Sequence, residues 1–241
     1  MKKEFNPDIL QPNYLIRQGL LKAFTRLSPR LKGRMLDFGC GTKPYQSLFS
    51  VDEYIGVDYE NPGHSHLNEQ IDVFYDGKTL PFEHEQFDSI FSSEVFEHVF
   101  NLPDILIELN RVLKHDGLLL LSCPFSFCEH EVPHDFARYT SFGIRHLLQE
   151  KGFEIVVQEK TGSTIETIHQ LFSVYCYFNI FKKIEKIPVV RSAGRLFIFG
   201  VINTSAKIWG KLLPRDKTLY MNNIVLCRKV NEIASKPSHQ V

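Results

Sequence analysis

The sequence MLDFGCGT at Met35–Thr42 carries the strongest structural signal in the chain. Its apolar first half ends in Asp37 and predicts a buried strand, and two glycines around one residue predict a tight turn into a helix. Because glycine has no Cβ, a ligand can approach the backbone of such a turn, and the first amide groups of the following helix can bind its polar atoms. The stretch therefore predicts a ligand-binding strand-turn-helix unit.

A second signal is the acidic residue that ends the next β-rich run, Tyr54–Asp58. In an open parallel sheet the carboxyl ends of neighbouring strands lie at the same edge, so Asp58 is expected beside the turn that contains Gly41. A carboxylate there can accept hydrogen bonds from two ribose hydroxyls. The two signals together predict a ligand that contains a nucleoside.

The residues around the turn distinguish between nucleoside ligands. A dinucleotide site requires G-x-G-x-x-G, and here Pro44 stands at the third-glycine position. The phosphate-binding pattern G-x-x-x-x-G-K-[ST] is also missing from the sequence. Asp37 suits a ligand with a cationic amino group better than a pyrophosphate. These features favour S-adenosylmethionine and disfavour an NAD-dependent oxidoreductase.

Short β-rich runs alternate with helical patterns from residue 34 to residue 160. The runs are Arg34–Phe38, Tyr54–Asp58, Phe87–Ser92, Gly117–Cys123 and Phe153–Glu159. Near-continuous apolar runs suit strands that are buried on both faces of a parallel sheet. The alternation predicts an open α/β sheet with right-handed crossovers.

Helix signals flank these runs. A lead-in amphipathic helix is predicted at Asn13–Leu31, and a second helix is predicted to begin at Asn101 as its cap. A third is predicted at Ser141–Lys151, with Thr140 as its cap and Gly152 as its stop.

The chain has 241 residues, of which 28 are basic and 28 are acidic, so its net charge is zero. This balance argues against a wholly basic nucleic-acid-binding protein and a wholly acidic disordered chain. The neutrality is a cancellation, because residues 165–218 contain nine basic and three acidic residues, a net charge of +6, and the rest of the chain carries −6. Residues 165–218, which we call the helical insertion, therefore differ in charge from the rest of the chain.

Cysteine usage and the apolar runs predict a cytoplasmic protein. The five cysteines form an odd set without a C-x-x-C pair, which indicates reduced thiols. The first 15 residues lack the apolar core of a signal peptide. The run Leu196–Ile202 is far shorter than the roughly 20 residues that a membrane-spanning helix needs. We therefore expect the protein to contact a membrane, if at all, only as a peripheral protein on its surface.

Four segments, in order, resemble the successive motifs of class I S-adenosylmethionine-dependent methyltransferases, above all the small-molecule branch with a type-11 methyltransferase domain. They are Leu36–Tyr45, Tyr54–Glu60, Leu80–Val99 and Leu109–Pro124. The resemblance implies S-adenosylmethionine as cofactor and a Rossmann-like, seven-stranded, mostly parallel α/β sheet. Its last strand would be antiparallel and would correspond to Tyr220–Cys227.

The resemblance also implies cofactor contacts for eight residues. In chain order they are Asp37, Gly39, Gly41, Asp58, Tyr59, Asp76, Ser93 and Glu94. The first three would lie along the methionine portion, Asp58 would hold the ribose hydroxyls, and Tyr59 would lie beside the adenine. Asp76 would receive the adenine amino group, although Asp-Gly is also an ordinary turn sequence. The last two residues would line the cofactor and face the acceptor.

An acceptor hydroxyl would need a general base. The candidates are His98, His130 and His134, in loops that are expected at the carboxyl ends of strands, where ligands of open sheets bind. We predict His98 and His134 as catalytic residues. Loop histidines that only make structural hydrogen bonds are the alternative.

The sequence Glu94-x-x-Glu97-His98 also resembles the E-x-x-E-H element that binds a metal in small-RNA 2′-O-methyltransferases and some quinone O-methyltransferases. His130 or His134 could complete such a site. Many relatives carry this local sequence without a metal. We therefore predict no metal and leave that alternative open.

The predicted organisation has four parts. They are a lead-in helix at 1–32, a methyltransferase domain at 33–164 and 219–230, the helical insertion at 165–218 between the last two strands, and a flexible tail at 231–241. The insertion interleaves apolar, aromatic and basic residues, which suits a substrate cap, an anionic-substrate site or a membrane-surface element.

The sequence as a whole predicts methyl transfer to a small molecule, at oxygen of a saccharide or a lipid-linked metabolite. The alternative from another class is a non-catalytic adenosyl-binding scaffold that docks to a membrane or a partner through the insertion. No nucleic-acid partner is expected, because no recognised motif supports one. The acceptor and the oligomeric state are left open.

Overall fold

The structure is a computed structural model that describes residues 5–59, 69–186 and 188–231. Seven strands form one sheet at its centre. They are β1 (Arg34–Phe38), β2 (Glu53–Tyr59), β3 (Val73–Tyr75), β4 (Phe87–Ser93), β5 (Leu113–Pro124), β6 (Phe153–Lys160) and β7 (Asn222–Lys229). The order across the sheet is β3-β2-β1-β4-β5-β7-β6, and only β7 runs antiparallel to its neighbours. The predicted Rossmann-like sheet with an antiparallel last strand is confirmed.

Helices cover the sheet and fill the segment between β6 and β7. They are α1 (Tyr14–Leu27), α2 (Leu102–Val112), α3 (Ser141–Glu150), α4 (Thr164–Cys176), α5 (Lys182–Ile184), α6 (Pro188–Gly194) and α7 (Val201–Leu212). Two π-helical stretches, Tyr177–Phe181 and Arg195–Gly200, adjoin the ends of α4 and α6. The predicted insertion is therefore helical.

Alternating side chains of the strands build two cores on opposite faces of the sheet. Leu119 and Leu121 belong to the cluster that α2 and α3 cover, whereas Leu120 between them belongs to the cluster that α1 covers. In the second cluster, Phe24 of α1 lies edge-on against Phe91 of β4, with ring centroids 5.0 Å apart. The lead-in helix is therefore an integral part of the core.

The turn after β1 does not lead into an α-helix, so that part of the sequence prediction is wrong. Between β1 and β2 the only helical residues are the 3₁₀ turn Gln46–Leu48. The connection is short and Pro44 removes one backbone donor, while α1 already covers this face of the sheet. A ligand at this turn therefore meets the loop backbone and not a helix N-terminus.

The helix-boundary predictions have mixed outcomes. The Thr140 hydroxyl accepts a hydrogen bond from the Gly143 amide at 3.0 Å, and Gly152 has φ +78° after the end of α3, as predicted. Asn101 precedes α2, but its side chain donates to the Gly77 carbonyl and does not cap the helix. Of the predicted flexible tail 231–241, residues 232–241 lie outside the described residues.

Candidate active site

The turn after β1 contains two glycines that are needed for different reasons. A Cβ on Gly39, which has φ +73°, would lie 2.3 Å from the Val95 side chain, so packing requires glycine there. Gly41 has φ +43°, and the nearest described atom to a Cβ at this position would be Glu69 Oε1, at 3.8 Å. Among the described residues, the backbone at Gly41 therefore borders space that a ligand can enter.

Asp37 lies at the carboxyl end of β1 and is almost fully buried. Its carboxylate accepts a hydrogen bond from the Tyr54 hydroxyl of β2. Burial raises the pKa of Asp37 to about 7 even though this hydrogen bond opposes the shift, and the negative charge of Asp58 raises it further. A cation beside Asp37 would favour its ionised form. The position therefore fits a positively charged amino group.

Asp58 connects β2 to the glycine turn. Its Oδ2 accepts a hydrogen bond from the Gly41 amide, and its Oδ1 accepts one from the Tyr59 amide, both at 2.8 Å. A carboxylate at this strand end is the acceptor that ribose hydroxyls use in open α/β sheets. The structure thus places Asp58 beside Gly41, where the sequence predicts it.

Tyr59 lies against the loop that follows β3. The Tyr59 ring packs so closely on Gly77 that a Cβ there would lie 2.9 Å from it. Tyr59 is nevertheless 43% exposed. The preceding Asp76 accepts hydrogen bonds from the Thr79 and Lys78 amides, each at 2.8 Å, and these bonds lower its pKa. Asp76 therefore forms the turn that Asp-Gly indicates, and it does so beside an exposed aromatic face.

Ser93 ends β4, and Glu94 follows with φ +58°. The Glu94 carboxylate accepts hydrogen bonds from Ser122 Oγ and Asn222 Nδ2, both at 2.6 Å. Burial raises the pKa of Glu94, and the positive charge of Arg17 on α1 opposes that shift. These hydrogen bonds stabilise the left-handed backbone conformation of Glu94. Non-glycine residues in this conformation occur preferentially at functional sites.

Three histidines converge in the loops after β4 and β5. His98 Nδ1 lies 2.7 Å from the carbonyl oxygen of His134, and the rings of His98 and His130 are 4.8 Å apart between centroids. Because a carbonyl oxygen only accepts, Nδ1 of His98 carries the proton and its Nε2 presents a lone pair. The His134 ring packs edge-on against Phe136. The structure therefore brings the rings of His98 and His130 together, whereas His134 joins them through its backbone carbonyl.

The candidate residues form two groups on either side of the boundary between β1 and β4, where the strand order reverses. The first group, on β1 to β3 and their loops, is Asp37, Gly39, Gly41, Asp58, Tyr59 and Asp76. The second group, after β4 and β5, is Ser93, Glu94, His98 and His134. Ligands of open α/β sheets bind at this reversal point, so the two groups can contact one ligand from both sides.

Two contacts in the site differ in how far the sequence indicates them. The Tyr54 partner of Asp37 carries a readable signal, because Tyr54 pairs in register with Met35, and Asp37 follows two residues later on the same face. The sequence gives no signal for the second contact, between Arg17 and Glu94. Arg17 lies on α1 and Glu94 follows β4, and these elements are far apart in sequence.

Comparisons with known proteins agree with this geometry. The family model of a methyltransferase domain matches residues 11–159. A "Probable S-adenosylmethionine-dependent methyltransferase" of Mycobacterium tuberculosis (strain CDC 1551 / Oshkosh) is 29% identical over 125 residues, which are 49% of this chain and 45% of that protein. The chain thus spans about half the length of the curated relatives that it matches.

Two solved structures are similar in fold. One is Haemonchus contortus phosphoethanolamine N-methyltransferase 2 in complex with S-adenosyl-L-methionine, with a TM-score of 0.55 and 17% identity over 89% of this chain and 52% of that one. The other is the complex between the Haloferax volcanii Trm112 methyltransferase activator and its partner, with a TM-score of 0.55 and 16% identity over 90% of both chains.

The sheet order, the antiparallel last strand and the acidic residues around the glycine turn define a class I, S-adenosylmethionine-binding domain of the Rossmann-like type. With the family match over residues 11–159, the chain belongs to the methyltransferase domain family. The predictions of the family, of the fold and of S-adenosylmethionine as cofactor are confirmed.

Proposed function

We propose that this protein transfers the methyl group of S-adenosylmethionine to an oxygen atom of a lipid-linked small molecule, such as a lipid-linked saccharide, at a membrane surface. The family membership supports the transfer. The observation that carries the choice of acceptor is the surface of the helical insertion, which combines exposed apolar and basic side chains next to the methyltransferase domain.

Two positions of the chain, Asp37 and Gly41, have the properties that binding of the cofactor requires. The buried carboxylate of Asp37 gains from a cationic amino group, and the described residues leave space beside the backbone at Gly41. In the proposed site Asp58 accepts the ribose hydroxyls, and Asp76 and Tyr59 lie beside the adenine. Gly39, Ser93 and Glu94 complete the lining of the site. When bound, S-adenosylmethionine supplies an electrophilic methyl group.

The remaining task of the chain is to orient the acceptor and to take its proton. In the proposed mechanism this role belongs to His98 and His134. Nε2 of His98 has a lone pair, because its Nδ1 is fixed by the His134 carbonyl oxygen. The His134 ring is exposed in the loop after β5, on the same side of the sheet reversal.

Replacing His134 by alanine is expected to lower the methyl-transfer rate by about 100-fold, the lower end of what a general base contributes. The substitution keeps the backbone carbonyl that holds His98, so cofactor affinity should not change. Transfer of radioactive methyl groups to the acceptor fraction measures the effect. The control is His146→Ala on α3, an exposed histidine outside the site. An unchanged transfer rate in the His134 variant would remove this residue from the mechanism.

The helical insertion has an unusual surface. It holds thirteen of the twenty large apolar residues that are exposed in the described part of the chain, among them Phe172, Tyr175, Phe178, Leu196, Phe197 and Trp209. All nine of its basic residues are exposed as well. Lys182 Nζ lies 4.7 Å from the centroid of the Phe178 ring, so charge and apolar surface are adjacent. Basic and aromatic residues in this combination bind anionic membrane surfaces.

Within the described residues, no helix has both the length and the apolar character needed to cross a bilayer.

Vesicle sedimentation tests the membrane contact. We expect the protein to sediment with vesicles that contain anionic lipid, and much less with zwitterionic vesicles or at high salt. Changing Phe197 and Val201 of the insertion to serine should weaken this binding about tenfold, since each removes apolar area from the contact. The matched control is Phe142→Ser on α3, whose side chain is 79% exposed, compared with 71% for Phe197.

The acceptor is tested by incubating the protein with methyl-labelled S-adenosylmethionine and cell extracts that have been divided into lipid and water-soluble fractions. Label in the lipid fraction, in a form that withstands mild alkali as an ether does, supports the proposal. Label only in water-soluble compounds contradicts the lipid-linked acceptor. Equal sedimentation with both kinds of vesicle contradicts the membrane contact.

A further inference from the structure

Lys43, directly after the glycine turn, is a lysine whose side chain is almost completely buried. It has φ +50°, and only 6% of its side chain is exposed. Lysine is almost never buried to this extent unless its charge is paired. The ammonium group of Lys43 therefore depends on partners inside the protein.

The stem of Lys43 crosses β2 at Gly56. A Cβ on Gly56 would lie 2.5 Å from Lys43 Cε and 2.6 Å from Cys40 Sγ. Glycine inside a strand weakens the strand and often marks the close approach of another group. Gly56 is therefore explained by packing, because it makes room for two side chains of the turn that pass over β2.

Two groups hold the ammonium of Lys43. It donates a hydrogen bond to Asp72 Oδ2, in the segment before β3, and the same oxygen accepts one from the Gly56 amide at 2.6 Å. Partial burial acts against the ionisation of Asp72, but these two hydrogen bonds lower its pKa. Lys43 Nζ also lies 5.6 Å from the centroid of the Tyr54 ring, within the roughly 6 Å of a cation–π contact. An ionised carboxylate and an aromatic ring therefore fix the ammonium.

Tyr54 joins this arrangement to the cofactor site. Its hydroxyl donates to the buried carboxylate of Asp37, so one side chain contacts both Asp37 and the ammonium of Lys43. The turn also meets the segment before β3 through its backbone, because the Gln70 amide donates to the Gly41 carbonyl oxygen at 3.1 Å. Lys43 therefore connects three parts of the site, which are the turn, β2 and the segment before β3.

The charge of Lys43 opposes most of the other influences on Asp37. The titratable groups that face Asp37 are Cys40, Lys43, Tyr54, Asp58 and Asp72. Burial raises the pKa of Asp37, and the negative charges of the two other aspartates raise it further, whereas the Tyr54 hydrogen bond and the positive charge of Lys43 lower it. The thiol stays neutral, because burial raises its pKa. Lys43 is therefore the one cation in this set.

We propose that Lys43 is a positioning residue of the cofactor site, whose ammonium group keeps the Tyr54 hydroxyl and a negative charge on Asp37 in place for the amino group of S-adenosylmethionine. This inference rests on the proposed function, in which Asp37 meets that amino group. When the cation binds, a protonated Asp37 releases its proton to the solvent, and the charge of Lys43 makes this release easier. Without that charge, binding at pH 7 has to expel a proton more often.

The charge effect is tested on the full chain without cofactor, with carbon-13 in the side-chain carboxyl groups of aspartate. The resonance of Asp37, assigned by its loss in Asp37→Asn, should titrate with a midpoint of about 7. Lys43→Met keeps the unbranched stem over Gly56 without the charge, and should raise the midpoint by about one pH unit, the lower end of the effect of a nearby opposite charge. Asp72→Asn removes a negative charge but keeps an acceptor for Lys43, and should lower the midpoint. Lys43→Arg keeps the charge and should leave the midpoint near that of the unchanged protein.

Proton release on cofactor binding is the second measurement. Calorimetry at pH 7 in buffers of different ionisation enthalpy counts the protons that leave when S-adenosylmethionine binds. The unchanged protein should release about half a proton from Asp37 and Lys43→Met about nine tenths, because their midpoints are about 7 and about 8. The matched control is Lys114→Met, since Lys114 pairs with Asp88 at 2.6 Å at the amino ends of the strands, away from the site. This control should behave as the unchanged protein does.

Opposite shifts in Lys43→Met and Asp72→Asn, with no shift in Lys43→Arg, support the proposal, since damage to the fold would not move the midpoint in both directions. Thermal stabilisation by S-adenosylmethionine shows that each variant is folded, and Lys43→Gln replaces Lys43→Met if the latter does not fold. An unmoved midpoint without the lysine charge overturns the proposal and leaves the proposed function intact. A shifted midpoint with unchanged proton release overturns the role of Asp37 in the proposed function, and this inference with it.

Discussion

Replacing Asp58 by alanine is expected to weaken binding of S-adenosylmethionine by about 100-fold. The proposed role of Asp58 is to accept two ribose hydroxyls, and a hydrogen bond to a charged group contributes about 1.5–3 kcal/mol. Two such bonds amount to about 3 kcal/mol, and each 1.4 kcal/mol is tenfold in affinity. Isothermal titration calorimetry at constant salt measures the change.

Two controls separate this role from the support that Asp58 gives to the glycine turn. The first is 5′-methylthioadenosine, which keeps the ribose but lacks the amino acid portion, and its affinity should fall by the same factor. The second is Asp72→Ala, because Asp72 also binds a strand amide, that of Gly56, at 2.6 Å. An equal loss of affinity in both variants would mean that loop order, and not the ribose contact, determines binding.

Much of the fold is predictable from sequence because its strands are long apolar runs. β1, β4 and β5 are buried on both faces, and the sequence marks each of them clearly. β3 was missed, because three residues, Val73–Tyr75, are too few for a periodic signal. The predicted helix after Gly41 is absent for a related reason. The place that it would take on the sheet is occupied by α1, and no local sequence pattern indicates this position of α1.

The candidate site was partly predictable for the same kind of reason. Asp37 and Asp58 lie at the carboxyl ends of strands and Gly41 follows one, and the parallel topology brings strand ends to one edge. The pairing of His98 with His130 depends on the path of a loop that Asp135 and Arg138 fix through side-chain hydrogen bonds. Spacing in the sequence contains no information about such a path.

The N-terminal segment and the helical insertion are joined in a way that the sequence does not show. Buried Gln170 and Ser173 of α4 donate to the Pro12 carbonyl oxygen, each at 2.9 Å, and Asn203 of α7 donates to the Ile9 carbonyl oxygen at 2.8 Å. These side chains satisfy backbone groups before α1. The insertion is therefore anchored to the core through the lead-in segment, which fixes its position relative to the cofactor site.

Asp37 is expected to make both cofactor binding and stability depend on pH. Its pKa is about 7 in the folded protein and 3.8 without burial, so the folded state binds more protons than the unfolded state between these values. The free energy of unfolding should therefore fall as the pH rises from about 4 to 7, by up to about 4 kcal/mol for this group. A cationic amino group needs the ionised form, so affinity for S-adenosylmethionine should fall roughly tenfold or more from pH 7 to pH 5.5.

The variant Asp37→Asn isolates this effect, because its side-chain oxygen can still accept the Tyr54 hydroxyl while its charge is gone. We expect it to be more stable than the unchanged protein at pH 8, to bind S-adenosylmethionine more weakly at pH 7 and to show little pH dependence in either property. Its affinity for 5′-methylthioadenosine, which has no amino group, should be unchanged. Denaturant unfolding and calorimetry from pH 5.5 to pH 8 measure both properties. A loss of methylthioadenosine affinity equal to that of S-adenosylmethionine would place Asp37 away from the amino group, since the charge would then act on the shared adenosine.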